Sequence, residues 1–80
     1  MDVKLQRYYE ARFDMVSSAG WKDLIDDAEK MRKAIADITS IDSEKLLYLR
    51  KGQLDILDWL LTLKEVSEKA YEDLTNEDYK

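Results

Sequence analysis

The sequence predicts an all-α protein, a single helical domain over residues 1–80. Its second and third helices form an antiparallel hairpin and its first, shorter helix packs on that hairpin. The chain has no proline and two glycines among its 80 residues. Its 39% charged and 45% hydrophobic residues make the composition of a helix-rich chain rather than a disordered or β-rich one. The apolar residues fall into three runs at steps of three and four, which is the mark of amphipathic helices. Short breaks of small, hydroxylated or acidic residues, Ser17 to Gly20 and Thr39 to Asp42, separate those runs.

The first helix is expected over about residues 2–17. Asp2 sits near its start, where a carboxylate suits the positive end of the helix dipole. Leu5, Tyr8, Tyr9, Phe13 and Val16 share one face, while Lys4, Arg7, Glu10 and Asp14 fall mostly elsewhere. Adjacent tyrosines bury their ring bodies and keep their hydroxyls near water, so this face either packs on the hairpin or receives a partner.

Ser17, Ser18, Ala19 and Gly20 read as a helix stop and tight turn, with Gly20 free to adopt the left-handed conformation. A second helix is then expected over about 21–38. Trp21, Leu24, Ile25, Ala28, Met31, Ile35 and Ile38 form its stripe. Its other face carries acids and bases three or four apart, the pattern of a solvated surface.

Thr39, Ser40 and Asp42 can each cap a new helix, and Asp42, Ser43 and Glu44 offer acceptors to its first amides. The third helix is expected over about 43–73. Its seam reads Leu46, Leu49, Gln53, Ile56, Leu60, Leu63, Ser67, Ala70 and Leu74, with Leu47, Leu54, Leu57 and Leu61 beside it. Together the two stripes cover about 200° of the helix, more than one neighbour can bury. Helix one either folds back across the hairpin in an up-down-up order or, in a long hairpin, crosses to another subunit, and the excess favours packing with helix one or oligomerisation. Gly52 costs about 1 kcal/mol against alanine in a helix interior, so it marks a kink or, preferably, the close approach of another backbone. Gln53 among leucines either fixes register in an assembly or lies at the wet edge of a core. The tail from Thr75 to Lys80 is polar enough to fray. Residues 61–80, with Glu65, Glu68, Glu72 and Asp73, form the acidic end, either solvated or facing a basic partner.

The net charge of −5 argues against a general electrostatic grip on nucleic acid. The local basic group Lys30, Arg32 and Lys33 follows Asp26, Asp27 and Glu29 by one turn, which neutralises much of it. Without cysteine or histidine, thiolate metal sites and the commonest general base are excluded. The clusters Asp23, Asp26 and Asp27, and Glu68 with Glu72, lack the accompanying motifs of a di-metal or phosphate site and read as surface. Asp55 and Asp58 share a polar edge with Lys51 and Thr62. No catalytic, cofactor-binding or metal-binding residue is therefore expected, and the protein is not expected to be an enzyme. The first residues lack the apolar core of a signal peptide, and no run approaches the length of a membrane span.

The segments Tyr8-Tyr9-Glu10, Phe13-Asp14-Met15 and Gly20-Trp21-Lys22-Asp23-Leu24, continuing through Ile25-Asp26-Asp27, and then Tyr48-Leu49-Arg50-Lys51-Gly52-Gln53-Leu54 and Trp59-Leu60-Leu61, resemble small helical proteins of tailed bacteriophages, especially short-tailed ones. The resemblance spans most of the chain and rests on packing and turn residues. It implies a phage setting, in the host cytoplasm or the virion. The expected role is an accessory structural or assembly component of a phage particle that acts through apolar helical surfaces. The alternative is an acidic inhibitor or adaptor of a host protein. Tyr8, Tyr9, Phe13, Trp21, Gln53, Leu57, Trp59 and Leu61 are the candidate contact residues, toward a second copy or a larger phage or host protein. Neither a cofactor, nucleic acid nor a membrane is expected as a partner.

Overall fold

A computed structural model describes residues 1–78. Three α-helices, α1 (Val3–Val16), α2 (Ala19–Ile35) and α3 (Glu44–Asp78), are joined by two short breaks, the second holding a 3-10 turn at Ile38–Ser40. There is no strand among the described residues. The chain is all-α, as expected.

Side chains close both ends of α1 and open α2, the 3-10 turn and α3. Asp2 caps α1 by accepting from the Lys4 amide at 3.3 Å. Ser17 Oγ donates to the Phe13 carbonyl and Ser18 Oγ to the Met15 carbonyl, each at 2.7 Å, so the last carbonyls of α1 are satisfied. Ser18 Oγ also accepts from the Trp21 amide at 3.1 Å and so opens α2. These two serines do what the sequence reading assigned to Gly20. No residue among those described takes a positive φ, and Gly20 lies inside the first turn of α2. Asp37 caps the 3-10 turn, accepting from the Thr39 amide at 3.0 Å and the Thr39 hydroxyl at 2.7 Å. Ser43 opens α3 by accepting from the Leu46 amide at 3.1 Å.

The helices are distributed over two compact units, Met1–Lys22 with Thr62–Lys80, and Asp23–Leu61. In the first unit α1 packs on the C-terminal half of α3. Tyr71 meets Tyr9 at 5.7 Å and Phe13 at 5.4 Å between ring centroids, both edge-on, a favoured aromatic geometry. Arg12 donates to Ser67 Oγ at 3.2 Å, which satisfies a hydroxyl on a residue only 5% exposed. Val16, Trp21 and Leu63 complete the buried set. As numbers rise along α1 from Tyr9 to Arg12, their partners fall from Tyr71 to Ser67, so α1 is antiparallel to this half of α3. An up-down-up order would have made it parallel. The break at Ser17 and Ser18 lacks the positive-φ residue that commonly turns a chain back at a helix end.

In the second unit α2 runs antiparallel to the N-terminal half of α3. Arg32 Nε donates to Asp58 at 2.7 Å. Arg50 donates to the Ile35 carbonyl at 3.1 Å and the Ala34 carbonyl at 3.4 Å, placing a cation at the negative end of α2. Ala28 is buried and Ile25, Leu54, Leu57 and Leu61 are half-buried between the helices. Asp58, expected at a water-facing edge, keeps half of its side chain exposed and also pairs with Arg32.

Three features of α3 differ from expectation. The residues it turns inward change stripe: Leu46, Arg50, Leu54, Leu57 and Leu61 in the second unit, then Leu63, Ser67, Ala70 and Leu74 in the first, while Leu49, Gln53 and Ile56 stay exposed. Each half of α3 buries the stripe that its own neighbour covers, α2 in the second unit and α1 in the first. Gly52 has no heavy atom within 4 Å of a Cβ built on it, so no backbone of its own chain approaches there. Finally, α3 runs to Asp78 rather than ending near 73. Leu74 and Thr75 are half-buried beside Tyr71, and Thr75 Oγ1 donates to the Tyr71 carbonyl at 2.8 Å. Tertiary packing thus offsets the weak apolar pattern of the tail, and the fraying expected of 79 and 80 lies outside the described residues.

Candidate interaction surface

Within the second unit the N-terminal half of α3 packs against α2, and part of its wide apolar arc, with Leu49 and Ile56, stays exposed. The uncovered part forms a groove of about 540 Å³ between α2 and α3. Met31 and Ile35 form the α2 wall, and Leu49, Gly52, Gln53 and Ile56 the α3 side, with Leu57 and Tyr48 also lining it. Met31, Tyr48, Leu49 and Ile56 are each between 55% and 67% exposed. Trp59, one turn from Ile56, is 58% exposed.

The groove is uncharged, although the chain carries −5 overall. Charges near α2 are engaged at its ends and flank. The Arg32 guanidinium is held above its ordinary pKa by the hydrogen bond and charge of Asp58. The Asp37 carboxyl is held below its ordinary value, first by the Thr39 hydroxyl, then by the Thr39 amide, with Arg50 adding a smaller attraction. Asp23, Asp26 and Asp27 are exposed. No group of three or more acidic side chains among the described residues is placed to hold a metal ion.

The eight sequence-derived contact residues are not brought together. Gln53 and Leu57 line the groove, and Trp59 belongs to the same unit. Leu61 is half-buried against α2 and serves the hairpin. Trp21 is only 8% exposed and Tyr9 and Phe13 are packed around Tyr71, so these three act as core rather than as anchors. Tyr8 is exposed, but its hydroxyl accepts from Arg12 at 2.7 Å and its ring lies 5.2 Å beneath the same guanidinium. Met31, Ile35, Tyr48, Leu49, Gly52 and Ile56 are the groove residues that the sequence reading did not select. For Leu49 and Ile56 the signal was present in the excess width of the third helix, but that width alone does not say which side a single neighbour leaves open.

No helix among the described residues is long and apolar enough to cross a membrane. Comparison with protein-family models finds no match, and comparisons with curated proteins and with solved structures find none of significance. The fold and this surface define an all-α protein with an open, uncharged apolar groove.

Proposed function

We propose that the protein is a non-enzymatic interaction protein, an accessory structural or assembly component of a phage particle, acting through the apolar groove of α2 and α3. The exposed groove supports this reading. Large side chains there stand in water, and each Å² removed from water on binding contributes roughly 25 cal/mol. An apolar strip of this kind on a small chain marks a surface made for contact. The phage setting follows from the sequence segments quoted above.

The test is mass spectrometry of purified particles made by a phage that encodes the chain, with wild-type and Ile56→Glu proteins compared. The wild-type chain is expected in the particles at a fixed copy number, and the Ile56→Glu chain depleted. A wild-type chain found only in the host fraction would refute the particle role. The exposed acids Asp23, Asp26 and Asp27 support a second reading, an acidic inhibitor or adaptor of a host protein. Its binding would weaken steeply with salt, whereas apolar docking would not.

A further inference from the structure

We infer that the occupant of the groove is the same groove of a second copy, in a two-fold dimer whose axis passes beside Gly52; this rests on the interaction reading above. Surface area is the first argument. A folded monomer of this mass exposes about 5,000 Å² by surface-to-mass scaling, whereas the chain exposes 6433 Å². Met31, Tyr48, Leu49, Ile56 and Trp59 are each more than half exposed. At roughly 200 Å² for a full side chain of this size, they and the groove floor supply on the order of 800 Å² per copy, the share a standard interface takes from each partner.

Symmetry is the second argument. A two-fold interface brings each residue to its mirror position, so residues near the axis must tolerate themselves. Gly52 does so without bulk, and the space over its Cα is open in the single chain. A close backbone approach there is therefore available only to a partner. Gln53, next to the axis, can pair with its own copy because a carboxamide both donates and accepts, which a carboxylate or ammonium cannot do. Leu49 lies three residues before Gly52 and Ile56 four after it. Antiparallel α3 helices thus seat Leu49 of each copy on Ile56 of the other. Lys45 and Trp59, seven before and seven after, meet in the same way, the lysine stem lying along the indole with its charge over the ring. The uncharged strip is also where two copies of a −5 chain meet with least repulsion.

The chain has no cysteine, so a single introduced thiol reports contact without background. Molar mass from sedimentation equilibrium over about 1 µM to 1 mM is combined with oxidation of Gly52→Cys and, as a control, Asp26→Cys, which is exposed on α2 outside the groove. A two-fold contact at residue 52 brings the Cα atoms within the roughly 4.4–6.8 Å that a disulfide spans. The expected results are a helical species approaching twice the 9.5 kDa chain mass, cross-linking of most Gly52→Cys chains and of few Asp26→Cys chains, and loss of the dimer in Ile56→Glu. If Gly52→Cys does not fold, or its side chain holds the two helices apart, a mixture of Leu49→Cys and Ile56→Cys chains tests the same axis and is expected to form the mixed cross-link. A dimer that cross-links at neither place overturns this interface and leaves the interaction reading standing. A monomer throughout overturns the inference. Binding of 8-anilinonaphthalene-1-sulfonate that disappears in Ile56→Glu would then keep the groove as a site for another partner, and no binding would end both.

Discussion

Replacing Gly52 with alanine separates the folding of one chain from the meeting of two. In the single chain the added methyl meets no heavy atom within 4 Å, and α3 is helical on both sides of it. The only intramolecular effect is then the difference in helix propensity, about 1 kcal/mol in favour of alanine, because glycine loses more backbone freedom on entering a helix. For a domain of 80 residues that raises the melting temperature by about 4–8 °C. At the dimer axis the same methyl faces its own copy and pushes the helices apart. Since dimerisation makes melting concentration-dependent, Gly52→Ala is expected to melt higher than wild type where the monomer dominates. The gain should shrink or reverse as concentration rises. Thermal unfolding followed by circular dichroism across a concentration series reads both effects. A lower melting temperature at the most dilute end would show that residue 52 is packed within the chain, refuting the open groove. A gain of constant size would refute the placement of Gly52 at an interface.

Two further outcomes test the packing and the electrostatics. Leu63→Ala, which truncates a side chain 6% exposed, is expected to cost roughly 2–5 kcal/mol, enough to remove much of the stability of a small domain. Ile56→Ala, at an exposed position, should stay within about 0.5 kcal/mol when urea unfolding is measured on dilute monomer; equal losses would mean that α3 faces the other way. Asp37 has a folded pKa below its unfolded one, so its contribution is fully present above the unfolded value of about 3.9 and is lost as pH falls through the folded value. A carboxyl titration by nuclear magnetic resonance should place the Asp37 midpoint below the ordinary carboxylate range and return it toward that range in Thr39→Ala. A midpoint at or above that range in the wild type would contradict the cap.

The helices themselves were legible because propensity and 3.6-residue periodicity are local. Leu5, Tyr9, Phe13 and Val16 on α1, and Trp21, Ile25, Ala28 and Ile35 on α2, are inward or half-buried as their spacing implies, whereas Tyr8, Leu24, Met31 and Ile38 of the same stripes are exposed, Ile38 lying beyond the end of α2. The breaks were legible too, although serine side chains rather than Gly20 close the first. The polar cross-links were not. Arg12, Arg32 and Arg50 look like surface charges in the sequence, and each reaches a partner on another helix that only folding brings within range.

The candidate site divides in the same way. Periodicity alone established that the third helix has more apolar surface than one neighbour can bury, since the arc is a property of residue order. Which part of that arc is left open was decided by tertiary structure. A single α2 beside the N-terminal half of α3 covers Leu54, Leu57 and Leu61 and leaves Leu49 and Ile56 in water. The physical reason is that a helix carries its stripe in its own sequence but its neighbour's position in the sequence of another segment. The direction in which α1 pairs with α3 belongs equally to that second kind of information, because it is visible only in which residues of α3 Tyr9 and Arg12 reach.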